Sequence, residues 1–297
     1  MTAYLLTVFV FICVNGVLAV TLNFILGYAG IFSLAHAVFF GIGAYVAANM
    51  ALYVTTDLFV SSLAAVAVCM VFSVLLALPA LRVRGEYFVA ASLGLQIIAV
   101  TIFSEWHWAT GGLGGLVGIP SPTIFGFKIS GPLPMAILGL SCLVLVTGII
   151  AILVRTSLGR NLMAIRDSES AALAFGKRIA AIKVLSVAIS AGLAAIAGSL
   201  YAYYVRFVNV ESFMLDTSIL LMAMVIIGGT GSMIGPILGA FMITSLPALL
   251  SYVPNLPAQH IGSIQQIIYG LAMMLLMVFQ PSGLIAFFKK REKSDVA

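Results

Sequence analysis

The chain has 297 residues, of which 63% are hydrophobic and only 8% are charged, and its formal net charge is +5. This composition, with a mean hydropathy of +1.21, excludes an ordinary water-soluble globular protein, because such a protein needs far more polar surface. The positive charge does not indicate a nucleic-acid partner, since the basic residues lie between long apolar runs, where membrane proteins carry them. We therefore expect an all-α polytopic membrane protein embedded in lipid.

The apolar runs predict about nine transmembrane helices, because a helix of about 20 apolar residues crosses a bilayer. Six full spans are predicted at residues 4–26, 27–53, 60–81, 87–103, 135–154 and 184–204. Residues 105–134 are rich in Gly, Pro and aromatic side chains, and this composition predicts a non-helical loop.

The stretch from Thr217 to Phe288 contains no charged residue and is too long for two spans. Gly and Pro residues interrupt it at 228–236 and 254–257. These interruptions predict three helices, at about 218–229, 236–251 and 263–285. The total becomes eight or ten if residues 27–48 or 228–236 are re-entrant. The first interruption has two interpretations: a tight helical hairpin, or a broken helix whose exposed backbone ends bind substrate.

Twelve of the fourteen basic residues lie in three regions: at Arg82 and Arg84, at residues 155–183, and in the tail at 289–297. An even number of predicted spans separates these regions, so all three can share one side of the membrane. The positive-inside rule makes that side cytoplasmic, which predicts a periplasmic N-terminus and a cytoplasmic C-terminus. We expect a single transmembrane domain over residues 1–297, with the loop and the tail in the cytoplasm.

The loop at residues 155–183 holds six of the fourteen basic residues and two of the nine acidic ones. Its helix-forming residues predict a short helix at about 162–175, with Ser157 as a cap near its start and Gly176 at its end. An apolar stripe at helical spacing consists of Leu162, Ile165, Ala172 and Phe175. The segment is too short and too polar to cross a membrane, so it is either a solvated surface helix or a helix that docks on another protein.

The loop contains Gly159-Arg160, Ala164-Ile165-Arg166, Asp167, Glu169, Ala171-Ala172 and Gly176. This pattern resembles the "EAA" loop of importer-type ABC permeases, in the form typical of branched-chain amino-acid permeases. Further stretches resemble the signatures of the LivM-type subunit of those permeases, at residues 27–48, 81–94, 110–120 and 226–240.

The resemblance implies an ABC importer permease fold with a cytoplasmic coupling helix, in a bacterial inner membrane. It implies as partners a LivH-like second permease subunit, two cytoplasmic ABC ATPase subunits and a periplasmic substrate-binding protein. ATP and magnesium are expected on the ATPase subunits; no cofactor is expected on this chain, which has no GxxxxGK phosphate-binding motif. The residues implied in coupling to the ATPase are Arg160, Leu162, Ile165, Arg166, Asp167, Glu169, Ala171, Ala172, Phe175 and Gly176.

Polar side chains within spans usually face other parts of the protein or a cavity. The candidates for the translocation path are Asn15, Asn23, Ser33, His36, Gln96 and Thr101. A packing role is the alternative for each of them. No metal site is predicted, because the three histidines are scattered and the three cysteines lie in apolar runs. No nucleophile–base pair and no paired carboxylates are evident, so we predict no catalytic residues and no enzyme.

The leading hypothesis is the permease subunit of an ATP-driven importer for branched-chain or related amino acids, in which this chain forms half of the translocation path. The alternative within the same family is a permease for urea, short amides or another small carboxylate. A hypothesis of a different class is a stand-alone secondary carrier or channel. It has little support, because the spans hold almost no ionisable residues for ion coupling.

Overall fold

The structure is a computed structural model that describes residues 2–80, 86–124, 126–250, 264, 266–271 and 274–275. Within residues 2–250 of this part it has helices α1 (Thr2–Leu26), α2 (His36–Tyr53), α3 (Leu58–Ala80), α4 (Glu86–Glu105), α5 (His107–Thr110), α6 (Pro132–Arg155), α7 (Ser157–Asp167), α8 (Glu169–Ala174), α9 (Ile179–Val205), α10 (Leu215–Gly228) and α11 (Gly235–Leu250). Two short antiparallel ladders join Leu116–Val117 to Phe207–Val208 and Thr123–Ile124 to Phe127–Lys128. The chain is therefore mostly helical, with a little sheet in its connecting segments.

Within the described residues, six helices are long and apolar enough to cross a membrane, namely α1, α2, α3, α4, α6 and α9. Helices α10 and α11 are shorter, with 14 and 16 residues. Most of the predicted span at about 263–285 and all of the tail at 289–297 lie outside the described residues, as do Arg82 and Arg84. The described part thus supports six full spans and two shorter apolar helices.

The predicted span at 27–53 is wrong in its first third. Helix α2 begins only at His36, and the segment of residues 27–35, which we call the α1–α2 link, is not helical. Gly30 in this link has φ +67°, a conformation that a helix does not tolerate and that glycine adopts without strain. The loop at 105–134 was predicted to be non-helical, but it contains the one-turn helix α5. This helix is attached to α2, because Asn49 Nδ2 donates a 2.7 Å hydrogen bond to the Ala109 carbonyl.

Helix α9 forms the centre of the bundle together with α1, and it packs against α2 and α3. Small residues bring α2 and α9 to backbone contact. A Cβ atom on Gly43 would lie 2.5 Å from the Cα of Ala195, and one on Gly198 would overlap the carbonyl oxygen of Phe40. Close approach of this kind is a common source of helix–helix packing energy in membranes, where lipid removes the hydrophobic driving force.

Helices α10 and α11 pack against each other as a hairpin, and α11 runs antiparallel to α1, which favours the hairpin interpretation of the turn at 228–236. Near the middle of α1, Asn15 Nδ2 donates a 2.9 Å hydrogen bond to Thr244 Oγ1 of α11. Near the end of α1, Asn23 Nδ2 donates a 2.8 Å hydrogen bond to the Ser232 carbonyl in the hairpin turn. The turn therefore lies beside the C-terminal end of α1, which is the end of the bundle that carries the charged loop.

Candidate functional site

The charged loop folds into two helices, so the prediction of one continuous helix at 162–175 is wrong. Helix α7 ends at Asp167, and Ser168 is extended, with φ −160° and ψ 109°. The Ser168 hydroxyl accepts a 3.3 Å hydrogen bond from the Ala171 N–H and so caps the start of α8. Serine competes with helical hydrogen bonds in this way, which makes it a favoured N-cap and a weak helix-interior residue. Ser157, predicted as a cap, is instead the first residue of α7.

The end of α8 matches the prediction at Gly176. Gly176 has φ +71°, its N–H donates to the Leu173 carbonyl at 2.8 Å, and the Lys177 N–H donates to the Ala172 carbonyl at 3.1 Å. These two hydrogen bonds form a Schellman motif, in which glycine ends the helix because the left-handed conformation strains residues with a Cβ.

The predicted apolar stripe is not an exposed surface of this chain, contrary to the expectation that it docks. Leu162 is fully buried, and Ile165 and Ala172 are buried in a small cluster with Ile179. Phe175 is the exception, because 83% of it is exposed. The stripe holds the loop against α9, since a helix buries its apolar face against whatever apolar surface its own fold brings near.

Charged side chains of the loop also bond within the chain. Glu169 Oε1 and Lys183 Nζ of α9 form a salt bridge, with 2.6 Å between the two atoms. Arg166 forms a 3.0 Å salt bridge with Asp167 and donates from Nη1 to the Gly27 carbonyl at 2.8 Å. Arg160 donates to the Arg155 carbonyl at 2.9 Å. Glu169 and Arg166 therefore fasten the loop to the membrane bundle.

The exposed part of the loop is centred on α8. We call the following set the α8 surface: Ala171, Leu173, Ala174, Phe175, Gly176, Lys177 and Arg178. Leu173 is 49% exposed, and it lies near Phe175 on the chain with two basic residues directly after. Leu173 is not part of the predicted stripe, although a continuous helix would place it on the same face as Leu162, eleven residues earlier. The break at Ser168 puts the two residues on different helices, and only Leu173 is exposed. Burial raises the pKa of Tyr28 in the α1–α2 link, and the positive charge of the nearby Arg166 opposes that rise.

The six candidate path residues occupy different places in the bundle. Asn15 and Asn23 join α1 to the α10–α11 hairpin, as described above. Asn15 and Thr244 also line a cavity of about 400 Å³ between α1, α10 and α11. This cavity contains both apolar walls and hydroxyl groups, among them Thr7. Asn15 is thus the candidate whose position in a cavity suits a path.

The remaining candidates make local or interhelical hydrogen bonds. His36 Nε2 lies 3.0 Å from Thr21 Oγ1, and Gln96 Nε2 donates to the Phe213 carbonyl at 2.7 Å. Ser33 Oγ accepts a 3.3 Å hydrogen bond from the Ala35 N–H. Thr101 is exposed and bonds to its own helix, at the Ile97 carbonyl. In the part of the chain that the structure describes, no group of three His, Cys, Asp or Glu side chains is placed to hold a metal ion.

In the part of the chain that the structure describes, long apolar helices enclose buried polar side chains, and the loop at 155–183 folds against them. This arrangement is that of an integral membrane protein. The comparison with known families then gives the particular family. The family model described as "Branched-chain amino acid transport system / permease component" matches residues 4–278, and the chain belongs to this family.

Individual relatives are similar along much of the chain. It is 28% identical to the high-affinity branched-chain amino acid transport system permease proteins LivM of Salmonella typhimurium and Escherichia coli, over 93% of this chain and 69% of each relative. It is 26% identical to the autoinducer 2 import system permease protein LsrC of Salmonella typhimurium, over 63% of this chain and 52% of that relative. No solved structure matches the chain significantly.

Proposed function

We propose that this chain is one permease subunit of an ATP-driven importer for branched-chain or related amino acids. The observation that carries the proposal is the family match over residues 4–278, together with similarity to LivM over 93% of the chain. In this proposal a second, LivH-like permease subunit completes the path, two cytoplasmic ATPase subunits bind ATP and magnesium, and a periplasmic protein delivers the substrate. The loop end of the bundle and the C-terminus are cytoplasmic, and the N-terminus is periplasmic.

The α8 surface is the proposed contact for an ATPase subunit. Three basic or acidic side chains on α7 and two basic ones after α8 keep this loop out of the hydrocarbon, since charges are costly there. Phe175 and Leu173 therefore face water unless a partner covers them, and exposed apolar patches of this kind mark interaction sites. An apolar side chain seated in a groove with basic residues at its rim is a common mode of helix recognition.

The other predicted coupling residues act from within the chain. Leu162, Ile165 and Ala172 hold α7 and α8 to the bundle by their buried side chains. The Glu169–Lys183 salt bridge fixes α8 to the start of α9. A displacement of the ATPase subunits therefore reaches α6 and α9, because α7 follows α6 after one residue and α8 is fastened to α9.

One observation favours a wider class of substrates than branched-chain amino acids. The chain also resembles LsrC, a permease of an autoinducer 2 import system, so similar permeases serve chemically different small solutes. A permease for urea, short amides or another small carboxylate stays the alternative. The Asn15 amide and the hydroxyl-bearing side chains of Thr7 and Thr244, set among apolar side chains in this cavity, fit small polar solutes in general.

Reconstitution of the complete importer in proteoliposomes tests the proposal. We expect uptake of labelled leucine, isoleucine or valine that requires internal ATP, the ATPase subunits and the binding protein outside. Uptake by this chain alone, driven by an ion gradient, would show a secondary carrier instead. A competition panel with urea, amides and small carboxylates decides the substrate class, because the solute that displaces the label at the lowest concentration is the preferred substrate.

A further inference from the structure

We propose that Arg166 is a positioning residue that transmits movement of the charged loop to two membrane segments, the α1–α2 link and the turn at residues 229–234 of the α10–α11 hairpin. This inference rests on the proposed function as an ATP-driven importer. It assigns Arg166 a role directed into the bundle, in place of the ATPase contact that the sequence motif implied.

The first step is the contact between Arg166 and the α1–α2 link. Arg166 lies in the last turn of α7, and its Nη1 donates a 2.8 Å hydrogen bond to the Gly27 carbonyl, directly after α1 ends at Leu26. The side-chain stem packs on the same link, since a Cβ atom on Gly30 would lie 2.9 Å from Arg166 Cγ. One side chain thus contacts the link at both Gly27 and Gly30.

The second step joins the link to the hairpin turn. Asn23 makes two hydrogen bonds to that turn: its Oδ1 accepts from the Gly231 N–H at 2.9 Å, and its Nδ2 donates to the Ser232 carbonyl at 2.8 Å. Gly27 lies against the backbone N of Gly231, where any Cβ on Gly27 would overlap it. A Cβ on Gly231 would in turn lie 3.7 Å from Arg166 Nη1. The loop, the end of α1 and the turn therefore meet at one point.

The third step is that both segments are directly connected to helices inside the bundle. The α1–α2 link leads into α2, whose second residue, Ala37, donates its N–H to Ser218 Oγ of α10 at 3.0 Å. The hairpin helices α10 and α11 form two walls of the cavity that contains Asn15. A shift of the turn therefore changes that cavity. The link is also easier to rearrange than a helix, since non-helical backbone loses fewer regular hydrogen bonds when it moves.

The guanidinium of Arg166 is already engaged within the chain. Its Nε and Nη2 donate to Asp167 Oδ1 at 3.1 and 3.0 Å, and its Nη1 donates to the Gly27 carbonyl. Asp167 thus orients the guanidinium toward the link. Because guanidinium hydrogen bonds are directional and charge-assisted, this arrangement transmits a displacement more rigidly than an apolar contact.

The test uses the complete importer in proteoliposomes with Arg166→Gln, Arg166→Lys and the control Arg206→Gln. Arg206 suits as a control because its guanidinium likewise donates to a distant segment of the chain, to Ser121 Oγ at 2.8 Å, but it follows α9 at the opposite end of the bundle. Three quantities are measured for each variant: copurification of the ATPase subunits, the rate of ATP hydrolysis, and the amount of substrate taken up per ATP.

We expect Arg166→Gln to retain the ATPase subunits and ATP hydrolysis while uptake per ATP falls about tenfold or more, as loss of a charge-assisted hydrogen bond implies. Arg166→Lys should recover part of the uptake, because an ammonium still reaches the Gly27 carbonyl. Arg206→Gln should match the wild type in all three quantities. A merely structural role would reduce hydrolysis and uptake together.

Two results overturn the proposal: loss of ATPase copurification together with uptake in Arg166→Gln, which makes Arg166 a docking residue, or an unchanged uptake per ATP. If Arg166→Gln does not accumulate in the membrane, Arg166→Lys decides. The ammonium cannot keep the two bonds to Asp167 that orient the guanidinium together with the bond to Gly27, so a wild-type ratio in that variant refutes the role. Failure of the proposed function itself has a separate signature, since the wild-type importer would then show no ATP-dependent uptake at all.

Discussion

The replacement of Phe175 by alanine tests the α8 surface most directly. Phe175 is 83% exposed and follows directly after α8, on a loop that the charges keep out of the hydrocarbon. If an ATPase subunit covers this ring in the complex, the variant loses apolar contact area in the complex and almost nothing in the free subunit. The variant therefore weakens assembly without weakening the fold.

The size of the effect follows from the exposed area. A phenylalanine side chain buries about 200 Å² when covered, so 83% exposure leaves about 170 Å² available to a partner. At about 25 cal/mol per Å², complete burial would contribute about 4 kcal/mol. Alanine keeps a part of that contact and a docked ring is not fully enclosed, so we expect a loss of about 2 kcal/mol, which raises Kd about 30-fold.

The assay is the affinity of the ATPase subunit for the purified permease pair, immobilised in detergent or nanodiscs. Phe127→Ala is the matched control, since Phe127 is 79% exposed but lies in the hairpin between α5 and α6. The reasoning is refuted if Phe175→Ala binds the ATPase subunit as tightly as the wild type. It is also refuted if Phe127→Ala weakens binding equally, because the effect would then reflect general damage.

Three further predictions concern the loop and the bundle. Gly176→Pro removes an N–H that closes the Schellman motif and fixes φ far from +71°, which destabilises this end of α8 by about 3 kcal/mol. We expect the variant to lose uptake, while the amount of protein in the membrane fraction stays normal. Glu169→Lys should reduce uptake by breaking a bond of order 1 kcal/mol, and the double variant with Lys183→Glu should restore it; no restoration would contradict a role for this pair. Gly43→Leu should lower the free energy of unfolding of the subunit in detergent by about 3 kcal/mol, because its Cβ would overlap Ala195. The control Gly148→Leu has open space around its Cβ and should unfold at the same temperature as the wild type.

The sequence predicted the helices better than their ends and contacts. Hydrophobic length predicted five of the six long spans to within five residues at each end, since length and apolarity alone decide whether a helix fits a bilayer. The span at 27–53 was wrong at its start because the apolar residues of the α1–α2 link look like a helix, while Gly30 and the packing of Arg166 prevent one. The break at Ser168 was missed for a similar reason, since a serine hydroxyl favours either a cap or a helix interior depending on its neighbours.

By itself, the sequence determined that the chain is a multi-span helical membrane protein, that the loop at 155–183 carries the largest group of its charges, and that Gly176 ends a helix there. These properties depend on composition, period and local backbone preference, which a single segment carries. The tertiary structure decided that Leu162 and Ile165 are buried while Phe175 is exposed, and that Arg166 and Asn23 join the loop, α1 and the hairpin turn. Helical period shows which side chains share a face, but the neighbour that covers the face depends on residues far away along the chain.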